Sequence, residues 1–160
     1  MRALVWISES SWELCADRAR ELLAADAEVT LLHVAAGDAE RLAADPVPER
    51  LGRHRPPPPG PAIRELSEAG AQELLKSARQ RLRRDARTLS LHGRVERLVV
   101  QTAAGADLLL LARDGQPRPG PGSLGPRTRF VVDHAPCAVL LVWPGAPPSV
   151  DSIPWPRHLR

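Results

Sequence analysis

Aromatic side chains are scarce in this 160-residue chain: they make up 3% of it, with no tyrosine and a single phenylalanine. A platform on which nucleobases stack needs several of them, so nucleic-acid binding is not expected. Lysine is rarer still, Lys76 being the only one, and 22 Lys+Arg against 19 Asp+Glu leave a net charge of +3. The densest basic run, "RQRLRRDAR" at 79–87, reads as a solvated helix face. Cysteine is limited to Cys15 and Cys137, far apart and without a metal-ligand pattern, and both read as small buried hydrophobes. No apolar run reaches the length of a transmembrane helix. The opening "MRALVWISESS" turns polar too soon for a secretory signal, so the expected location is the cytoplasm, with no membrane association. Catalytic signatures are missing as well: there is no GK[ST] phosphate loop, no HExxH and no GxSxG. The histidines at 33, 54, 92, 134 and 158 are dispersed. No nucleophile, base and orienting group converge, so the chain is not expected to be an enzyme.

What is present alternates regularly. "ALVWI" at 3–7 is a short apolar run without polar alternation, the pattern of a strand covered on both faces. A helical stripe follows through Trp12, Cys15, Ala16, Ala19, Leu22 and Leu23, with Ser10 and Glu13 at capping-box spacing. "EVTLLHV" at 28–34 is a second strand, and strand–helix–strand at this spacing predicts a parallel sheet. A Pro-rich loop, 45–61, interrupts the pattern with "PPPPGP" and favours polyproline II. Periodicity returns at Ile63, Leu66, Gly70, Leu74, Ala78 and Leu82, an amphipathic helix. "TLSLH" at 88–92 is a third strand. Val95, Leu98, Val99 and Thr102 form the inner face of a shorter helix, and "ADLLLLA" at 106–112 is a fourth strand. Pro126 stands where the first residue of a helix can spare its N–H, with Phe130 and Val131 on the core face. "AVLLVW" at 138–143 is the fifth strand. Five strands with intervening helices predict a doubly wound α/β domain, with a ligand crevice at the carboxyl ends of the strands.

The run from Ala106 to Val142 resembles the universal stress protein (UspA-type) family. Its mark is a glycine, two residues, a glycine, nine residues, then glycine with serine or threonine, followed by a helix and an Ala-Pro-Cys turn. Here the spacing is Ala112, two residues, Gly115, nine residues, Gly125, then Pro126, and "HAPCAVLLVW" follows. The resemblance covers 1–144 and leaves 145–160 as a C-terminal extension. It implies a five-stranded parallel sheet in the order 3-2-1-4-5, of the adenine-nucleotide alpha-hydrolase-like type. It also implies a homodimer joined through strand 138–143, whose exposed apolar edge would otherwise invite aggregation. ATP or AMP is the implied ligand, with Ser8 and Val34 at the base and ribose end. Ala112, Gly115, Gly125, Arg127 and Thr128 then fall on the phosphate motif.

Three of these positions depart from the family pattern. Ser8 replaces an aspartate, and Ala112 carries a methyl where glycine is usual. Pro126 removes a backbone N–H and a hydroxyl from a helix N-terminus, where a phosphate would use both. Pro126→Ser is therefore expected to tighten ATP binding by roughly tenfold. Two readings stay open: a small regulatory domain that holds ATP or AMP weakly, and a dimeric interaction domain of the same fold without a nucleotide. In the tail, Val150, Ile153 and Trp155 are spaced so that an extended segment would dock them on the domain.

Overall fold

In the computed structural model, which describes residues 1–37 and 61–153, the apolar runs form a single parallel sheet. Its strands are β1 (Arg2–Trp6), β2 (Glu28–Ala36), β3 (Ala86–Gly93), β4 (Leu108–Ala112) and β5 (Ala138–Val142), in the order β3-β2-β1-β4-β5. This is the doubly wound α/β sheet in the order 3-2-1-4-5. Four α-helices lie between the strands among the described residues: α1 (Trp12–Leu22), α2 (Pro61–Leu82), α3 (Val95–Ala103) and α4 (Pro126–His134).

The central strands lack polar alternation because both faces are covered. Ala3, Val5, Leu31 and Leu110 turn to one face, against Cys15 and Ala19 of α1 and Leu75, Ala78 and Leu82 of α2. Leu4, Leu32, Leu109 and Leu111 turn to the other, against Val95, Val99 and Ala103 of α3 and Val131 of α4. Truncating one such fully buried leucine, as in Leu110→Ala, costs about 2–5 kcal/mol.

Several local expectations shift. In the stripe of α1 only Leu22 is exposed outright; Leu23, the C-cap, is buried in the same cluster as Cys15 and Ala19. Ser11, not Ser10, is the N-cap; no capping box forms, and Ser11 Oγ instead meets Ser8 Oγ at 2.6 Å. In α2 the buried positions are Ala71, Leu75, Ala78 and Leu82, one residue on from Gly70 and Leu74. Phe130 is an exposed residue that stacks on His134, and Thr128 takes the buried place beside Val131.

The basic run does not read as a free patch. Arg81 bonds Asp17 at 2.7 Å. Arg84 donates to the carbonyls of Ala25 and Ala27 at 2.7 and 2.8 Å, pinning the chain beyond α1. Past Pro144 there is one 3-10 turn, Val150–Ser152, with the Ser149 hydroxyl accepting from the Asp151 amide. Val150 is 67% exposed, against the docking expected of it. Trp155, the interior of the Pro-rich loop 45–60, His54 and His158 lie outside the described residues.

Candidate functional site

The order of the strands reverses between β1 and β4, and a cleft of about 730 Å³ opens there, beyond their carboxyl ends. Ser8, Val34, Ala112, Arg127 and Thr128 line it, together with Asp114. Five of the seven residues singled out in the sequence therefore meet in one place. Gly115 and Gly125 are not on its wall.

One side of the cleft is an unfinished strand edge. β1 pairs with β2 only as far as Trp6 opposite Leu32, while β2 runs four residues further. The Ile7 amide donates to the Leu32 carbonyl at 2.8 Å, so Leu32 directs its backbone groups toward the β1 side. Val34, two residues on, directs its own the same way. A longer β1 would offer the Ile7 carbonyl to the Val34 amide. That carbonyl is taken instead by His33, whose Nδ1–H donates to it at 3.0 Å. No backbone hydrogen bond joins Val34 to β1 among the described residues. Val34 thus presents an amide and a carbonyl to the cleft, the donor–acceptor pair that the edge of a purine matches. His33, dispersed in the sequence, thus sits at the strand-end carbonyl beside the cleft.

The floor beside this edge is hydroxylic. Ser8, Ser10 and Ser11 form a chain, with Ser8 Oγ at 2.6 Å from Ser11 Oγ and 3.4 Å from Ser10 Oγ. The Ser8 carbonyl caps α1 by accepting from the amides of Ser11 and Trp12. Below it, Cys15 is fully buried, and burial pushes its thiol from the ordinary 9.0 up to about 11. A thiol held protonated is a poor nucleophile. Ala112 is also buried, its methyl part of the same apolar cluster as Cys15.

The glycine motif is folded on itself. The Gly115 amide donates to the Ser123 carbonyl at 3.1 Å, and the Gln116 amide to the Gly122 carbonyl at 2.7 Å. A Cβ on Gly115 would stand 2.3 Å from the Gly122 oxygen, so only glycine allows this backbone approach. Ser123, almost fully buried, donates to the Gly120 carbonyl and is met by the Arg113 guanidinium, which also lies 4.4 Å over the Trp143 ring. Arg113 therefore faces β5 and the loop. Arg129 reaches the Pro121 carbonyl.

The decisive contact is at Gly125, the N-cap of α4. Its amide donates to Asp114 Oδ1 at 2.7 Å, and a Cβ there would stand 2.8 Å from Asp114 Oδ2. Helix N-termini attract anions, and this one holds a carboxylate of its own chain. Pro126 follows at the first helical position, as the sequence predicts. Asp114 was not among the residues singled out in the sequence. The usable signal was its place in the two-residue gap of the motif, within side-chain reach of the closing glycine.

No protein-family model matches the chain, and no curated protein matches it in sequence. Solved structures match it in shape. A hypothetical protein whose biochemical function was assigned from its structure gives a TM-score of 0.63 at 16% identity, over 91% of this chain and 96% of that one. A universal stress protein in complex with cAMP gives 0.61 at 19% identity, over 89% and 96%. A universal stress family protein from Arabidopsis thaliana with AMP bound gives 0.52 at 16% identity, over 91% and 93%. The chain has the fold of the universal stress proteins.

Proposed function

We propose that this chain is a small regulatory domain of the universal stress protein type, and that its cleft holds the adenosine part of a nucleotide weakly and without catalysis. The observation that carries the reading is the open edge at Val34. An amide and a carbonyl there face a cleft of about 730 Å³ at the switch point of the sheet, beside the Ser8–Ser11 hydroxyls. Proteins of this fold have cAMP or AMP bound. The ATP or AMP expected from the sequence is favoured at its base and ribose end and opposed at its phosphate end. There the amides of Gly115 and Gly125 are already engaged and Pro126 has none.

The test is the nucleotide retained by protein purified under native conditions, read by mass spectrometry, with calorimetry against AMP. The reading expects little retained nucleotide and an AMP Kd in the range of about 10 µM to 1 mM, worth roughly 4–7 kcal/mol. A stoichiometric triphosphate after purification, or no binding of any adenine compound at millimolar concentration, would contradict it.

The dimer reading has its own observation. Among the described residues β5 is an edge strand paired only with β4, and its Val139, Leu140 and Leu141 are half-buried rather than covered. An exposed apolar edge favours pairing with the same strand of a second copy. Light scattering at tens of micromolar should give twice the chain mass of 17.4 kDa. A monomer there would remove this part of the reading.

A further inference from the structure

We propose that Asp114 makes the cleft select an uncharged adenosine-type nucleoside over its phosphorylated forms, its carboxylate occupying the place at the helix N-terminus where a phosphate would bind. The inference rests on the reading that the cleft takes an adenosine moiety, and it specifies which form. Asp114 lines the cleft and accepts the Gly125 amide at 2.7 Å, so a carboxylate already stands at the N-cap of α4, ahead of Arg127 and Thr128 in the same first turn. Gly125 leaves room for the carboxylate, since a Cβ there would stand 2.8 Å from Oδ2 and 3.1 Å from Oδ1 and push the Asp114 side chain aside. An arriving phosphate would have to displace the carboxylate or stand beside it, like charge against like charge.

The charged side chains described on the rest of the wall do not offset that repulsion. Among the described residues, two carboxylates, Glu9 and Asp114, line the cleft against one guanidinium, Arg127. Arg113, the cation next to Asp114 in sequence, is directed to the Ser123 hydroxyl and the Trp143 ring instead. The loop amides of Gly115 and Gln116 close on Ser123 and Gly122 rather than turning outward. At the base and ribose end the hydrogen-bonding groups are the neutral Val34 backbone and the Ser8–Ser11 hydroxyls, with Glu9 between them, a set that suits a neutral ligand and not an anion.

Calorimetric titration of the full chain with adenosine, AMP and ATP, without divalent metal, tests this directly. In the native protein, affinity should fall in that order. Asp114→Asn keeps an oxygen for the Gly125 amide and removes the charge. It should leave adenosine within about twofold and tighten ATP by roughly tenfold or more, the effect of deleting one like charge a few ångströms away. In the native protein, raising the ionic strength should move the ATP-to-adenosine affinity ratio in ATP's favour as the repulsion is screened. If ATP binds the native protein as tightly as adenosine does, or the ratio is unchanged in Asp114→Asn, the selectivity is refuted while the adenosine cleft stands. If no adenine compound binds either protein, both fall.

Discussion

Gly115→Ala should destabilise this protein, whereas Gly70→Ala should stabilise it, and the opposite signs follow from what surrounds each missing Cβ. At Gly115 the new methyl would lie 2.3 Å from the Gly122 oxygen, 2.6 Å from the Ser123 carbonyl carbon and 2.8 Å from the Leu124 nitrogen. All three are backbone atoms, so no side chain can swing aside and the loop must open. Opening forfeits the Gly115–Ser123 and Gln116–Gly122 hydrogen bonds. At about 0.5–1.5 kcal/mol each, the loss is about 1–3 kcal/mol. At Gly70, in the interior of α2, nothing among the described residues lies within 4 Å of the added Cβ. Alanine there gains about 0.5–1 kcal/mol through helix propensity and a less flexible unfolded chain. Urea denaturation of both variants measures the pair, and in a chain of this size each kcal/mol moves Tm by about 2–4 °C. Hydrogen exchange should also show the Gly115 and Gln116 amides losing protection only in Gly115→Ala. If that variant is as stable as the native protein, the loop is not closed as described, and its glycines answer to something other than their own packing.

Three other outcomes follow from individual contacts. Pro126→Ser, expected from the sequence to tighten ATP by roughly tenfold, should do so only together with Asp114→Asn, because in the single variant the carboxylate still faces the restored donors; a full gain in the single variant would count against Asp114. Cys15, raised by burial to about 11, stays protonated in the folded chain while an unfolded chain would ionise; the folded state then holds more protons, so stability should fall by about 2–3 kcal/mol as pH rises from about 9 to 11, a loss that Cys15→Ala removes. The carboxyl of Asp17 is held below its usual range, first by its hydrogen bond from Arg81, so it contributes stability above the ordinary carboxylate pKa that is lost as pH falls through the lowered value. The pair is open to solvent, so Arg81→Met should lower stability only slightly near neutrality and not at all in acid, read by urea denaturation at pH 7 and pH 2.

The sheet was legible because its signals are local and redundant. "ALVW" and "LLLLA" have no polar alternation, and only strands covered on both faces tolerate that. Their order, 3-2-1-4-5, came from the resemblance to the universal stress proteins, because several orders would cover both faces equally well. The face of a helix was less legible. Gly70 and Leu74 repeat as regularly as Ala71 and Leu75, and which stripe turns inward depends on how α2 meets α1, information that no periodicity carries. Phe130 was assigned to the core by its hydrophobicity, yet a ring that can stack on His134 one turn away is satisfied at the surface. At the site, spacing identified the loop, but not what fills it. Depleted donors were visible as prolines, whereas the internal ligand, Asp114, is one acidic residue in an aperiodic loop. The release of Val34 by His33 was equally hidden, because it depends on where β1 stops pairing.

Amide chemical-shift mapping on isotopically labelled protein titrated with adenosine tests the central claim most directly. The account predicts shifts concentrated at Ile7, Ser8, His33, Val34 and Ala35, with the amides of Gly115, Gln116 and Gly125 unmoved, since those donors are already engaged within the loop. Shifts confined to 113–128, or an unchanged Val34 amide at saturating adenosine, would contradict it.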